Sequence, residues 1–394
     1  MWFSSWLRNL RSTGRGNRTS VHTFRPRLES LEGRDLPSFA VPVAYPSSQA
    51  LAVVTADVNG DGRPDLITLA GNGNAVTVQL NNKKGGFGTV NGFFVHGTGS
   101  ASALAVGDVN GDGRPDIVFA FTNYPSGGSV SGTYVGGVGV LLGDGKGSFT
   151  YAPTSAIFQG TPTISSLALA DVYGDGKMDL VAVNATGLVD LYVARPAAGG
   201  MFQHAQASPV FLGTSSVRAQ LAVGDLNGDG RPDAIVTDPS GSSVHVLLNS
   251  GTGFAPAQTF AVGSTPTSLA VGDVSGDGKL DIVTANTNRT VSVLFGQGNG
   301  SFGAAQSYAI GGPANSVALG DFNHDGRLDI ATTGSAETDV LLNGGNGIFG
   351  AYQNVGPAGN SLVAADLNRD SYTDLAEVVA ASSSIDVLLN LANW

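Results

Sequence analysis

The sequence predicts an all-β protein, a seven-bladed β-propeller of four-stranded blades in which a strand from the N-terminus closes the last blade. Three observations predict it. An acidic loop recurs seven times, every copy is flanked by strand-like runs in one fixed order, and the two chain ends carry complementary parts of a single repeat. Self-similarity at such a period marks architectures in which each unit buries its apolar face against its neighbours.

The loop pattern is D-x-x-x-D-G-x-x-D, and it begins at Asp57, Asp108, Asp171, Asp225, Asp273, Asp321 and Asp366. The first two copies read DVNGDGRPD, letter for letter. Before each loop runs a stretch of small apolar residues, such as Ala103 to Gly107, which suits a crowded centre where innermost strands converge. After it comes a β-branched run such as Asp281 to Ala285, then a turn, then an alternating strand such as Val291 to Phe295. A glycine-rich turn ending in phenylalanine follows (Phe87, Phe149, Phe202, Phe254, Phe302, Phe349), and a last extended stretch leads into the next repeat. Four strands per repeat is the content of a propeller blade.

The ends predict closure. The seventh repeat stops at Val387 to Trp394, its third strand, while Pro37 to Tyr45 aligns with Gly300 to Tyr308. The N-terminal strand therefore supplies the missing fourth strand and leaves no unpaired edge. The expected organisation is a basic leader or disordered segment over residues 1–38 and a propeller over 39–394.

Composition narrows the function classes. Glycine accounts for 57 of 394 residues and charged residues for only 13%, a balance that favours turns and short strands. The absence of cysteine excludes disulfides, thiolate zinc sites and cysteine nucleophiles. The net charge is −11; Arg8, Arg11, Arg15, Arg18, Arg25, Arg27 and Arg34 against Glu29, Glu32 and Asp35 give the leader +4, so the remainder carries −15. That sign argues against a nucleic-acid partner. No apolar run reaches the roughly 20 residues of a membrane helix. The leader also lacks the uninterrupted apolar core of a standard secretory signal.

The loops point to a hard cation. Calcium takes six to eight oxygens, and a short loop can present side chains from its first, third, fifth and ninth positions with a carbonyl from the seventh. In the first copy these are Asp57, Asn59, Asp61 and Asp65, with the Arg63 carbonyl; in the second, Asp108, Asn110, Asp112, Asp116 and Arg114. The third offers Asp171, Asp175, Asp179 and Lys177, with Tyr173 at the third position, too long to replace asparagine. The fourth offers Asp225, Asn227, Asp229, Asp233 and Arg231; the fifth, Asp273, Ser275, Asp277, Asp281 and Lys279; the sixth, Asp321, Asn323, Asp325, Asp329 and Arg327. The seventh offers Asp366, Asn368, Asp370 and Asp374, but Ser371 replaces the turn glycine. Five to seven structural calcium ions are expected, with the third and seventh loops the weaker sites. The loops hold 21 of the 31 acidic residues, so the acidity is mostly a property of these sites.

A helical calcium hand shares this opening but carries its last acid at position 12. Here position 12 is Thr68, Phe119, Ala182, Val236, Thr284 and Thr332, and only the seventh copy has an acid there, Glu377, inside a strand-like run. Three carboxylates exclude a phosphate cradle. A merely polar turn accounts for one such loop but not for seven in register.

Loop, glycine-x-phenylalanine turn and strand count together resemble the FG-GAP repeats of integrin alpha-subunit propellers and the related bacterial VCBS repeats, over residues 39 to 394. The resemblance implies a non-catalytic binding module, with a ligand face opposite the calcium loops. The leader segment RPRLESLEGRDLPS is similar to a short motif of planctomycete surface and exported proteins.

Nothing in the sequence sets up catalysis. His22, His96, His204, His245 and His324 share no motif, and no metalloprotease helix motif, nucleophile elbow or dinucleotide fingerprint occurs. His324 reads as an exposed loop residue. Extra length falls at 122–134, 156–166 and 208–219, on the face opposite the acidic loops, and makes Tyr124 and Tyr134 candidate ligand contacts. The expected function is cell-surface adhesion or binding of a protein or glycan ligand by an exported monomer. The alternatives are a lectin-like propeller and the propeller domain of a polysaccharide-active lyase or hydrolase.

Overall fold

The structure, a computed structural model, describes residues 38–47, 49–70, 75–82, 85–94, 101–123, 135–152, 164–184, 191–197, 201–205 and 219–391. Residues 1–37 of the expected leader, Tyr124, Tyr134 and most of the three longer segments lie outside them.

Among the described residues the chain forms seven antiparallel four-stranded sheets, one per acidic loop. In chain order the first comprises Ala50–Ala56, Asp65–Ala70, Ala75–Asn81 and Phe87–Phe94, and the second Ala101–Gly107, Asp116–Asn123, Val135–Gly143 and Phe149–Tyr151. The third has Ile164–Ala170, Asp179–Asn184, Leu191–Ala197 and Met201–Ala205, and the fourth Leu221–Gly224, Asp233–Asp238, Ser243–Leu247 and Gln258–Ala261. Pro266–Gly272, Asp281–Asn286, Thr290–Leu294 and Gln306–Ala309 make the fifth, and Ala314–Gly320, Asp329–Gly334, Thr338–Leu341 and Gln353–Gly356 the sixth. The seventh joins Ser361–Ala365, Asp374–Val379 and Ser384–Leu388 to Val43–Pro46 from the other terminus.

Closure follows the sequence alignment of the two ends. Val43 pairs with Val387 and Pro46 with Ser384, while Phe39 bridges Asn390. Phe254, Phe302 and Phe349 make the same bridge to Asn249, Gly296 and Asn343 in the fourth, fifth and sixth sheets, so Phe39 stands where each repeat places its turn phenylalanine. Each innermost strand touches that of the next sheet, and Ser361–Ala365 touches Ala50–Ala56, which closes the ring into a β-propeller.

Burial runs from centre to rim as stacked sheets require. Second strands such as Asp65–Ala70, Asp281–Asn286 and Asp374–Val379 are buried at every residue, because neighbouring sheets cover both their faces. Outer strands such as Gln258–Ala261 and Gln306–Ala309 are mostly exposed and only four residues long, which limits edge pairing. Apolar side chains fill the gaps between sheets; the cluster of Ile67, Leu69, Val76 and Val78 meets Ile117, Phe119 and Leu141 of the next sheet. Burial of each such side chain stabilises by about 1.5–3 kcal/mol.

Polar lacing supplements this packing. In five innermost strands the pairing skips one residue, at Leu51, Ser102, Ser165, Thr267 and Asn315. A bulge re-aims its side chain, and here it aims at the next sheet. Ser102 donates to the Ile164 carbonyl (2.6 Å), Ser165 to Ala219 (2.8 Å), Thr267 to Ala314 (2.8 Å) and Asn315 to Gly359 (3.1 Å). Leu51 has no polar group to offer and is 46% exposed. Across the closing seam Val53 N–H donates to Ser361 Oγ (3.4 Å).

Aromatic pairs tie the rim. Tyr45, Phe93, Phe260 and Tyr308, each on an outer strand, meet Phe87, Phe149, Phe302 and Phe349 of the next sheet edge-on at 5.2–5.3 Å. The turn glycine preceding these phenylalanines explains the glycine-x-phenylalanine signature. Gly147, Gly300 and Gly347 have positive φ, and a Cβ on any of them would lie within 2.7 Å of Leu80, Leu248 or Phe295 of the preceding sheet.

Removing residues 1–46 strips the outer strand from the seventh sheet and exposes an apolar edge. A lower melting temperature and self-association are expected, read by calorimetry and sedimentation; a truncated chain that melts with the full one and stays monomeric contradicts closure by this strand.

Candidate functional site: the seven acidic loops

Each loop connects the first and second strands of its sheet, so all seven lie on one face of the ring. Their geometry repeats almost unchanged. The first aspartate accepts backbone N–H groups from the fifth and sixth positions: Asp57 from Asp61 (3.1 Å) and Gly62 (2.6 Å), and Asp225 from Asp229 (3.1 Å) and Gly230 (2.7 Å). The third-position asparagines Asn59, Asn110, Asn227, Asn323 and Asn368 accept the N–H of the fifth residue. The fifth aspartate in turn accepts the N–H of the seventh residue, as Asp61 does from Arg63 (3.0 Å) and Asp325 from Arg327 (3.0 Å). These side-chain turns fold the loop around its own oxygens.

The winding needs left-handed backbone at two positions, the sixth and, unanticipated by the sequence reading, the fourth. The fourth is Gly60, Gly111, Gly174, Gly228 and Gly276 in the first five loops, and His324 and Arg369 in the last two, all with positive φ. In the seventh loop Ser371 adds a second such residue at φ 73, at a cost of about 1–2 kcal/mol for each non-glycine residue. His324 is exposed, as expected, and its ring lies 4.9 Å from that of Tyr372, at the seventh position of the next loop.

The ninth aspartate behaves differently from the rest. Asp65, Asp116, Asp179, Asp233, Asp281, Asp329 and Asp374 are all fully buried. One oxygen accepts the N–H of the second loop residue, as Asp65 does from Val58 (3.0 Å) and Asp233 from Leu226 (2.9 Å). The other accepts an N–H at the end of the third strand: Asn81, Gly143, Asn249, Gly296, Asn343 or Asn390, at 2.7–2.8 Å. Burial pushes these carboxyls up, Asp65 to about 6 and Asp329 and Asp374 to about 7, against the opposing pull of the two amides.

Asp179 is the exception, and the register explains it. Leu180 pairs with Ala194, so Pro196 stands where the other sheets offer their N–H. Proline has none, and Asp179 Oδ1 is buried without a partner.

Two further parts of the clamp escaped the sequence reading. The second loop residue is a buried apolar anchor in every copy: Val58, Val109, Val172, Leu226, Val274, Phe322 and Leu367. Where the third strand ends in asparagine, its amide reaches across to that anchor's carbonyl in the preceding sheet, as Asn249 does to Val172 (2.8 Å), Asn343 to Val274 (2.7 Å) and Asn390 to Phe322 (2.7 Å). The recurring asparagine before the glycine-rich turn was the available signal.

The donor chemistry suits a hard cation: oxygen donors only, with the first, third and fifth side chains wound onto one exposed turn. The fifth carboxylate already holds a positive charge, the base at the seventh position: Arg63 on Asp61 (3.2 Å), Arg231 on Asp229 (2.5 Å), Lys279 on Asp277 (2.9 Å) and Arg327 on Asp325 (2.8 Å). Ser275 takes the third position of the fifth loop and donates to Asp273 (3.3 Å), and Tyr173 packs against the core between the third and fourth sheets. Among the described residues no three acidic or histidine side chains converge as a ready-made metal cage.

Fold and loops together define a class, the repeat β-propellers. The model of the FG-GAP-like repeat matches residues 57–119, 129–182, 225–284, 273–332 and 321–376, and that of the FG-GAP repeat matches 100–141; the chain belongs to the FG-GAP-like repeat family. No curated protein matches its sequence. Among solved structures it is similar to an Agrocybe aegerita lectin that recognises non-reducing terminal N-acetylglucosamine (TM-score 0.53, 21% identity, covering 79% of this chain and 81% of that one). It is also similar to BBS1N in complex with ARL6DN, in mercury- and lead-soaked crystals (TM-scores 0.61 and 0.60, 12% and 13% identity, 91% and 92% of this chain, 98% and 99% of that one). At these identities the likeness is one of fold.

Asp233→Ala leaves two buried amides without acceptors and is expected to cost about 2–5 kcal/mol, well above Asp225→Ala on the exposed side of the same loop; denaturant unfolding orders the two. Pro196→Ala supplies the N–H that Asp179 lacks and is expected to stabilise by about 0.5–1.5 kcal/mol, where an unchanged midpoint counts against the clamp.

Proposed function

We propose that this protein is a calcium-stabilised, non-catalytic binding propeller that acts outside the cytosol on a protein or glycan ligand. Residues 39–394 form the binding module in this reading, and residues 1–38 are a leader. One observation carries it: seven loops in register on one face, each wound by its own side-chain oxygens. In the five stronger loops a cation would be held by the first, third and fifth side chains with the seventh carbonyl, for example Asp57, Asn59, Asp61 and Arg63, or Asp321, Asn323, Asp325 and Arg327. The ninth aspartate anchors the loop behind them. The bound ion supplies positive charge that relieves repulsion between the exposed carboxylates. The basic side chain at the seventh position takes part of that role in its absence.

The distribution of charge supports a ligand on the opposite face. The turns and links there run through 240–242, 264–265, 287–289, 311–312, 335–337, 359–360 and 382–383, and Arg289 and Glu337 are the charged residues among these described stretches. A face of hydroxyls, amides and bare backbone suits a neutral ligand better than an ionic one.

That composition favours one second reading, glycan binding, to which the fold of the Agrocybe aegerita lectin adds support. Family membership and the absence of a long apolar helix among the described residues agree with an exported protein, and calcium loops of this kind fill at extracellular concentrations.

Calorimetric titration of metal-free protein with calcium is expected to show about five strong sites, with Asp171→Ala and Asp366→Ala leaving that number unchanged and Asp225→Ala lowering it by one. Chelation is expected to lower the melting temperature. A glycan and matrix-protein binding screen then separates the two ligand readings, and protein that takes up no divalent ion removes the calcium part of the proposal.

A further inference from the structure

Glu377, the acid at position 12 of the seventh repeat, has no part in its loop. The strand Asp374–Val379 turns it away from the metal face and into the seam with the sixth sheet, where it is fully buried. Its Oε2 lies 2.5 Å from Thr338 Oγ1 and 2.8 Å from Thr333 Oγ1. Thr338 Oγ1 is also 2.6 Å from Thr333 Oγ1 and 2.8 Å from the Pro357 carbonyl, which belongs to the link between the two sheets.

Counting hydrogens decides the protonation state. Four short oxygen–oxygen contacts compete for hydrogens, yet two threonine hydroxyls supply two, and a carbonyl and a carboxylate supply none. The Pro357 carbonyl can only accept, so it takes the Thr338 hydrogen. Thr338 must then accept from Glu377, and a carboxylate has nothing to give. A protonated Glu377 provides the third hydrogen and leaves one side of the oxygen triangle bare instead of two. Its other oxygen, Oε1, is buried without a partner, tolerable for the carbonyl of a neutral acid and costly for a charged oxygen.

The surroundings agree. Across the strand Glu377 pairs with Asp386, which carries the same charge and accepts from Ser384 Oγ (2.7 Å). From the sixth sheet the two threonines and Gly356 face it. Asp339 there turns the other way to accept Gly311 N–H (2.8 Å), and Glu337 is bonded to Asn354.

We propose that Glu377 is carried as the neutral acid and acts as a proton-dependent latch between the sixth and seventh sheets, closed while protonated and strained once ionised. The latch holds the blade that contains the ring's N-terminal strand, so its release weakens the ring at its own closure. Burial is the main cause that pushes the carboxyl from its ordinary 4.5 up to about 7; the threonine hydroxyls oppose it and Asp386 adds to it. The unfolded chain therefore gives up this proton first as pH rises. The contribution is neutral below about 4.5, stability falls between about 4.5 and 7, and it stays at the lower level above.

The test uses the full chain and Glu377→Gln, whose amide mimics the neutral acid and keeps a donor for Thr338. The variant's melting temperature, relative to wild type, is expected to rise between about pH 5 and pH 8 by about 2–4 °C; a difference that does not change with pH overturns the latch. Because substitution at a buried site can disturb folding, a second measurement is made on the wild type. The chain has four glutamates, Glu29, Glu32, Glu337 and Glu377, so carbon-13 labelling of glutamate carboxyls gives four NMR signals. One signal is expected to titrate near neutrality; four that all titrate near the ordinary value of about 4.3 overturn the proposal.

Discussion

The structure depends on one carboxylate repeated seven times. The ninth aspartate of each loop stands behind the turn, in the body of the sheet, and in six of the seven it accepts hydrogen bonds with both of its oxygens, Asp179 being the exception. One bond fixes where the loop leaves the first strand, and the other fixes where the third strand ends. The first, second and third strands are therefore set by a single buried group before any contact with a neighbouring sheet. Both bonds lie in a dry site, where the amide opposite has no water to fall back on.

From this group order passes to the next sheet. The amide whose N–H binds the aspartate belongs in four sheets to an asparagine, and in all four its side chain donates to the anchor carbonyl of the preceding loop. A loop that might be thought of as a surface feature is thus a joint of the ring. The bulged hydroxyls do the same near the opposite face, and the edge-on aromatic pairs do it at the rim. Three sets of contacts at three radii keep the sheets in step, while the apolar interior between them supplies most of the stabilisation. Where one set is missing the chain shows it: Leu51 at the first bulge is left half exposed, and Asp179 opposite Pro196 is left with an orphan oxygen.

The division of charge between the two faces has the same origin. The pattern that winds the loops places acids and their bases at one end of every sheet, and the links at the other end need only small residues that turn tightly. Among the described residues an acidic protein therefore presents a face with few charges. Its overall charge is a poor guide to what it binds.

Much of the fold was legible in the sequence, and for a physical reason. Seven copies of one pattern average out the ambiguity of any single strand, and the alignment of Phe39 with Phe302 predicted which strand closes the ring. Spacing likewise identified the turn glycines and the first, third and fifth loop positions. Spacing could not separate the ninth aspartate, which anchors, from the others, which face water, because all of them are aspartates at regular intervals. Nor could it show that the base at the seventh position folds back on the fifth carboxylate, or that Glu377 leaves its own loop for the threonines of another sheet. By itself the sequence determined the repeat, the four strands of each unit and the closing partner, since these follow from local pattern and chain order. Only the tertiary structure decided which carboxylates are buried and what meets them, because burial is set by the neighbouring sheets and the hydrogen bonds come from other strands, 16 residues away at Asp233 and 44 at Glu377.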